Sequence, residues 1–213
     1  MKELEKFSPV EIETGRKLFA QEATFMLGVV KLDDLPDEGP VEVAFAGRSN
    51  VGKSTLLNAL TNQSGLARAS NTPGRTREIN YFDLHGAIRL VDLPGYGYAK
   101  VSRKESDAWN RLTRDFLRGR TTLRRVCTLI DARHGLKASD TEIMDMLDEA
   151  AVNYQIVLTK VDKIKPTALA ALIAKTADAI RKRPAAHPVV RATSSEKGEG
   201  IAELRAELAA LAV

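Results

Sequence analysis

The segment that most constrains the fold of this chain is residues 47–54, which read Gly-Arg-Ser-Asn-Val-Gly-Lys-Ser. It follows an apolar run at 41–46 and precedes a helix-forming run at 55–60. A strand, a glycine-containing loop and a helix in this order predict a phosphate-binding loop, because backbone N–H groups and the helix N-terminus point at one anion. The side chain of Lys53 is expected to reach the β- and γ-phosphates, and the Ser54 hydroxyl to bind Mg²⁺. The nucleotide-binding residues predicted here are Gly47, Arg48, Ser49, Asn50, Val51, Gly52, Lys53 and Ser54.

The rest of the chain alternates strand and helix patterns, which predicts a doubly wound α/β sheet with its ligand at the carboxyl ends of the strands. A hairpin turning at Gly86 makes one strand antiparallel, and capping boxes at 102–105 and 139–142 mark two helix starts. The prediction is a P-loop NTPase fold: a six-stranded, mostly parallel sheet with one antiparallel strand and helices on both faces. The strand candidates are residues 41–46, 79–85, 88–93, 126–131, 154–159 and 187–193.

Residues 1–38 are interpreted as an N-terminal extension packed on a nucleotide-binding domain at 39–213, because a turn-rich stretch at 33–40 separates the two. The extension lacks the apolar centre of a secretory signal, and no apolar run reaches the roughly 18 residues of a spanning helix. The single cysteine, Cys127, lies in an apolar run and is interpreted as a small core residue. We therefore expect a cytoplasmic protein without membrane contact, acting as a monomer.

Two later segments indicate which nucleotide is bound. Asp92-Leu93-Pro94-Gly95 follows a strand, so Asp92 is expected to hold Mg²⁺ and Gly95 to offer its N–H to the γ-phosphate. Thr159-Lys160-Val161-Asp162 also follows a strand, and a carboxylate there accepts hydrogen bonds from N1–H and the 2-amino group of guanine, which adenine lacks. The stem of Lys160 can lie over the purine ring. A backbone N–H near Ser195, in the segment Thr193-Ser194-Ser195, is expected to meet the guanine carbonyl. Together these motifs predict a GTP-binding domain.

These motifs, with Thr-Pro-Gly-Arg-Thr at 72–76, Asn-Tyr-Phe at 80–82 and Asp-Leu-Pro-Gly-Tyr-Gly-Tyr-Ala at 92–99, resemble the EngB (YsxC/YihA) family of bacterial GTPases over nearly the whole chain. The resemblance implies a role in large ribosomal subunit assembly and in normal cell division and septation. It also makes Thr76 the switch threonine that closes over the γ-phosphate and Mg²⁺, with Thr72 as the competitor for that role. The same loop adds Gly74, Arg75, Thr76, Arg77 and Glu78 to the expected nucleotide contacts.

Catalysis is the least constrained part of the sequence. Many GTPases place a glutamine after D-x-x-G, and this chain has Tyr96, so slow Mg²⁺-dependent hydrolysis is expected. The catalytic candidates are Lys53, Thr76 and Asn50. In related GTPases an asparagine at the position of Asn50 helps to hold K⁺, which makes K⁺ a further candidate cofactor beside GTP or GDP and Mg²⁺. The alternative is an asparagine that only satisfies loop backbone groups.

The net charge is only +4, but residues 103–125 are rich in arginine, which predicts either a contact with rRNA or a ribosomal particle or the solvated face of a helix. The leading hypothesis is a slow GTPase switch that binds an assembling ribosomal particle. The alternative is a GTP-sensing protein-interaction module of the division machinery without RNA contact. An efficient stand-alone hydrolase is disfavoured by Tyr96.

Overall fold

A computed structural model of the protein describes residues 7–67, 78–97 and 103–212, and for 103–110 it describes the backbone only. The strands are β1 (Ala23–Val29), β2 (Val41–Gly47), β3 (Ile79–Leu84), β4 (Ile88–Asp92), β5 (Leu123–Asp131), β6 (Tyr154–Thr159) and β7 (Arg191–Ala192). The helices are α1 (Pro9–Phe19), α2 (Lys53–Thr61), α3 (Arg103–Gly119), α4 (Ala138–Glu149), α5 (Pro166–Ile180) and α6 (Ile201–Ala209).

The strands form one sheet in the order β1-β3-β4-β2-β5-β6-β7. Strand β3 pairs antiparallel with both β1 and β4, and the other pairings are parallel. The predicted mostly parallel α/β sheet with one antiparallel strand is therefore confirmed. The predicted number of six strands is wrong, because β1 adds a seventh at the edge beside β3.

Helices cover both faces of the sheet, as predicted. One apolar cluster packs α1, α2 and α6 against the sheet, through residues such as Phe19, Leu57 and Leu204. A second cluster packs α3, α4 and α5 on the opposite face, through residues such as Phe116 and Leu147. Successive residues of β2 enter opposite clusters, as a strand covered on both faces requires. Cys127 is fully buried in the first cluster, and burial raises the pKa of its thiol to about 12.

The helix starts agree only in part with the predicted capping boxes. Helix α4 begins at Ala138, one residue before the predicted cap, and the backbone N–H of Lys137 donates to the carboxylate of Asp140 at 2.9 Å. The predicted box at 139–142 is therefore wrong, because Asp140 rather than Glu142 makes the bond back to the start of the helix. The other predicted cap, Ser102, lies outside the described residues.

The N-terminal segment takes part in the main fold at two places. Strand β1 extends the sheet, and α1 packs closely on α6, since a Cβ added at Gly15 would lie 2.5 Å from the backbone nitrogen of Ala206. The division of the chain at residue 38 stays a prediction. Within the described ranges, no helix combines the length and apolar character needed to cross a bilayer.

Candidate nucleotide-binding site

The predicted phosphate-binding loop connects the end of β2 to the start of α2. Gly52 is the N-cap of α2 with φ of 104°, and Asn50 also has a left-handed φ of 64°. Lys53 and Ser54 therefore occupy the first turn of the helix, where the backbone N–H direction and the helix dipole favour a bound phosphate. Ser54 is placed where its hydroxyl can serve a metal ion bound at the same helix start.

Asp92 ends β4 beside this helix start. Its carboxylate forms an ion pair with the ammonium group of Lys53, and only 8% of its side chain is exposed. A hard oxygen donor of this kind suits Mg²⁺, which takes one or two protein oxygens and completes its coordination with water and phosphate oxygens. Ser54 and Asp92 are thus the described residues that fit a Mg²⁺ ion. Thr76, the third predicted ligand, lies outside the described residues.

The segment 93–96 runs along the phosphate-binding loop and is tied to it by the backbone. Leu93 donates to the carbonyl of Phe45 at 3.0 Å, Tyr96 donates to Gly47 at 3.3 Å, and Ser49 donates to Tyr96 at 3.1 Å. A Cβ at Gly95 would lie 3.3 Å from the Ser49 nitrogen, so this close approach favours glycine. The structure therefore brings the Asp92–Gly95 motif against the phosphate-binding loop.

Tyr96 turns into the protein instead of facing the site. Its side chain is 5% exposed, and its hydroxyl donates to Asp140 of α4 at 3.0 Å. Burial raises the pKa of the Tyr96 phenol well above its ordinary value, and the charge of Asp140 raises it further. The guanidinium of Arg48 lies 3.4 Å from the same carboxylate oxygen. Tyr96 is therefore buried and bonded to α4.

The predicted base-recognition segment is joined to the phosphate-binding loop by two side chains. The hydroxyl of Thr159 donates to the Val51 carbonyl at 2.7 Å. Lys160 has a left-handed φ of 58°, and its ammonium donates to the Asn50 carbonyl at 2.6 Å and to Asp131 at 2.9 Å. Its stem passes over the loop, 3.5 Å from a Cβ built at Gly52. Lys160 is thus held in an extended position across the site.

Asp131, which holds Lys160, was not predicted as a site residue. Burial would raise the pKa of this carboxyl, but hydrogen bonds from Arg133 and Lys160 outweigh burial and hold the pKa well below its usual range. The carboxylate therefore stays charged and keeps Lys160 in place. Asp131 lies at the carboxyl end of β5, next to the end of β6, and that position in a parallel sheet is the signal that could have identified it.

Asp162 is bonded to the last predicted motif. Ser194 is fully buried and donates its hydroxyl to the Asp162 carboxylate at 2.6 Å, and the ammonium of Lys163 lies 2.9 Å from the other carboxylate oxygen. The bond from Ser194, followed by that from Lys163, lowers the pKa of Asp162. The Val161 N–H donates to the carbonyl of Thr193 at 3.3 Å, so the two segments lie side by side. Ser195 follows at the rim and is half-buried.

The remaining predicted contacts fall in or next to the segment at 68–77. Gly74, Arg75, Thr76 and Arg77 lie outside the described residues, as does the competing Thr72. Glu78 is described and exposed, and its carboxylate lies beside Gly28 of β1. Because Asn80 pairs with Asp92, Glu78 is at the same edge of the sheet as the metal-binding candidates.

The arginine-rich segment 103–125 divides into buried and exposed groups. Arg120 is 7% exposed and binds the fully buried Glu42 with a closest distance of 2.6 Å, and Arg125 is 11% exposed and lies 3.2 Å from Glu207. Arg120 and Arg125 therefore do not belong to an exposed basic surface in this region, because their guanidinium groups neutralise buried carboxylates. The exposed arginines with described side chains are Arg111, Arg114, Arg118 and Arg124.

Comparisons with known proteins agree with this geometry. Residues 42–160 match the family described as "50S ribosome-binding GTPase". A probable GTP-binding protein EngB of Hyphomonas neptunium is 57% identical over 98% of this chain and 96% of its own length. Another, from Caulobacter vibrioides, is 59% identical over 97% of this chain and 90% of its own length.

Solved structures share the fold. The crystal structure of a probable GTP-binding protein EngB has a TM-score of 0.66 and 23% identity, covering 81% of this chain and 98% of its own. Era in complex with MgGDPNP and nucleotides of 16S ribosomal RNA has a TM-score of 0.60 and 24% identity, covering 82% of this chain and 57% of its own. These solved structures show the fold, and the sequence relatives and the family model show the family. The chain belongs to the EngB family of GTP-binding proteins.

Proposed function

We propose that this GTP-binding protein is a slow Mg²⁺-dependent GTPase switch that acts in large ribosomal subunit assembly and is needed for normal cell division and septation in the cytoplasm. The observation that carries the proposal is the convergence of Lys53, Asp92 and Asp162 at one edge of the sheet, on three segments that are bonded through the phosphate-binding loop and α2. The family description as ribosome-binding supports the assembly role.

Each described residue has a separate task in this proposal. Lys53 and the first turn of α2 bind the phosphates, and Ser54 and Asp92 hold Mg²⁺, which when bound neutralises charge on the β- and γ-phosphates. Asp162 accepts hydrogen bonds from the guanine edge, while Ser194 fixes its carboxylate and Lys160 covers the base. Thr76 closes over the γ-phosphate, as the resemblance implies. Release of that contact after hydrolysis is the proposed switch.

The position of Tyr96 supports the proposal of slow hydrolysis. Its phenol is protonated, buried and engaged with Asp140, so it is not available to orient water. Charge compensation by K⁺ at Asn50 is part of the proposal. The left-handed backbone at Asn50 supplies a separate reason for asparagine there, because asparagine tolerates that conformation.

Turnover in matched K⁺ and Na⁺ buffers tests the role of Asn50. We expect GTP hydrolysis to be about tenfold faster in K⁺, as one added positive charge near the phosphates would give. Asn50→Gly keeps the left-handed backbone and removes the amide, so it should lose the difference between the two ions. Equal rates in both buffers for the unsubstituted protein would remove K⁺ from the mechanism.

The proposed ribosomal contact is the exposed face of α3. Arg111, Arg114 and Arg118 are spaced by three and four residues, so they lie on one side of the helix. Three arginines on one face are suited to the phosphates of rRNA, whose binding releases counterions.

Binding of ribosomal particles to the GTP-loaded protein over a range of salt concentrations tests this surface. Changing Arg111, Arg114 and Arg118 to Gln should weaken binding and reduce the slope of log K against log salt by about 2, while leaving GTP affinity unchanged. Changing the exposed Lys175, Arg181 and Lys182 of the α5 region to Gln removes the same charge elsewhere and serves as the control. Salt-insensitive binding, or none, would favour the alternative of a GTP-sensing module for division proteins.

A further inference from the structure

Asp140 is a buried acidic residue to which the nucleotide-binding site assigns no role. It lies in the first turn of α4 and its side chain is fully buried. One carboxylate oxygen accepts from the Tyr96 hydroxyl at 3.0 Å and lies 3.4 Å from the guanidinium of Arg48. The other accepts from the backbone of Lys137 at 2.9 Å. A single carboxylate thus joins the phosphate-binding loop, the segment after Asp92 and the start of α4.

The backbone carries this connection to Gly95. Tyr96 exchanges backbone hydrogen bonds with Gly47 and Ser49, so fixing its side chain also fixes the strip that contains Gly95. Gly97 continues the contact, since a Cβ there would lie 3.3 Å from the Ser139 hydroxyl. The segment 95–97 is therefore held between the phosphate-binding loop and α4.

We propose that Asp140 is a positioning residue that, through Tyr96 and Arg48, holds Gly95 at the phosphate-binding loop and so favours the triphosphate over the diphosphate. The inference rests on the proposed function, because it takes the Gly95 N–H as the group that meets the γ-phosphate. Tyr96 cannot turn outward without leaving a buried carboxylate short of a donor, which is costly in a protein interior. The bond to Asp140 therefore opposes movement of this segment away from the phosphate-binding loop.

A structural role limited to α4 makes a different prediction. It would lower the stability of the fold and weaken the binding of both nucleotides alike. The positioning role changes the ratio of the two affinities, because only the triphosphate reaches Gly95.

The experiment is calorimetry on the full chain with Mg²⁺, using a non-hydrolysable GTP analogue and GDP. Asp140→Asn removes the charge, and Tyr96→Phe removes only the hydroxyl. Two matched controls are Asp145→Asn, on an exposed carboxylate of α4 that pairs with Arg183, and Tyr154→Phe, on a fully buried tyrosine of β6. For each test variant, we expect analogue affinity to fall about tenfold and GDP affinity to stay within about twofold, the size of one charge-assisted hydrogen bond.

An unchanged ratio in Tyr96→Phe would overturn the proposal, as would an equal change in the controls. Tyr96→Phe decides the question if Asp140→Asn does not fold. Failure of the unsubstituted protein to bind the analogue would instead contradict the proposed switch, so the two failures are distinguishable.

Discussion

At the residue scale, the proposed base recognition depends on two side chains from separate segments of the chain. Asp162 supplies the carboxylate, and the buried Ser194 sets its orientation through a bond of 2.6 Å. A carboxylate left free to rotate would lose part of its preference for the guanine edge, because both of its hydrogen bonds require a fixed plane.

Substitution of these two residues should separate recognition from orientation. Asp162→Asn should relax guanine preference toward xanthine, and Ser194→Ala should weaken GDP binding about threefold to tenfold, because one hydrogen bond to a charged group is lost. Competition between GDP, XDP and ADP for the protein measures both effects. Ser195→Ala is the control, since it keeps the backbone N–H that is expected to meet the base. Retained guanine preference in Asp162→Asn would contradict the recognition scheme.

Sequence spacing could predict which residues meet at the candidate nucleotide site, but not the residues that hold those side chains in place. Lys53, Asp92 and Asp162 follow strands within short recurring patterns, so their place at one sheet edge follows from the topology. Asp140 lies inside the predicted capping box at 139–142, but that local pattern does not indicate Tyr96 as a partner, because the contact depends on how α4 packs. A contact between residues 44 positions apart is set by tertiary structure, which local patterns do not encode.

At the element scale, the close approach of α1 and α6 depends on the missing side chain of Gly15. A Cβ at Gly15 would lie 2.5 Å from the backbone nitrogen of Ala206, and backbone cannot move aside as a flexible side chain can. Gly15→Ala should therefore destabilise the protein by about 1–3 kcal/mol, although alanine is the better helix former.

Urea unfolding followed by circular dichroism measures that change. Gly119→Ala is the matched control, because a Cβ at Gly119, the last residue of α3, would have open space around it. It should be neutral or stabilising by up to about 1 kcal/mol. Equal effects of the two substitutions would show that the contact of α1 with α6 is not limited by space at Gly15.

The elements that were missed from sequence, or predicted with the wrong length, are those with weak local patterns. Strand β1 has an irregular pairing between Phe25 and Leu27, which breaks the alternation that identifies a strand. Helix α1 is only partly buried. Its adjacent apolar residues Leu18 and Phe19 do not show the 3.6-residue period of a helix. Strand β7 has two residues, Arg191 and Ala192, where seven were predicted. In each case pairing with neighbours, rather than the segment's own pattern, defines the element.

At the scale of the whole molecule, some arginines neutralise buried carboxylates and stabilise the fold, whereas others are exposed at the surface. Arg120 neutralises the buried Glu42 near the start of β2, and its guanidinium also lies 5.9 Å from the centre of the Tyr81 ring. Without Arg120, the buried Glu42 would keep only the more distant guanidinium of Arg89, at 3.8 Å, as a described positive partner.

Arg120→Gln should therefore lower the free energy of unfolding by about 3 kcal/mol without changing the salt dependence of particle binding. The neighbouring Arg124, which is exposed, provides the control: Arg124→Gln should change stability by less than about 0.5 kcal/mol. Chemical denaturation gives both values. If Arg120→Gln instead leaves stability unchanged and reduces the salt dependence of particle binding, Arg120 belongs to the proposed ribosomal contact.

The contact of α1 with α6 has a consequence for how the chain is made. Helix α1 packs against α6, which is made much later, and β1 pairs with a strand that begins 50 residues after β1 ends, at Ile79. Neither N-terminal element has its native partner during early synthesis, so its apolar side chains remain without their native packing until that partner is made. Folding of this domain can finish only after α6 has left the ribosome, so its N-terminal elements are completed by late-synthesised partners.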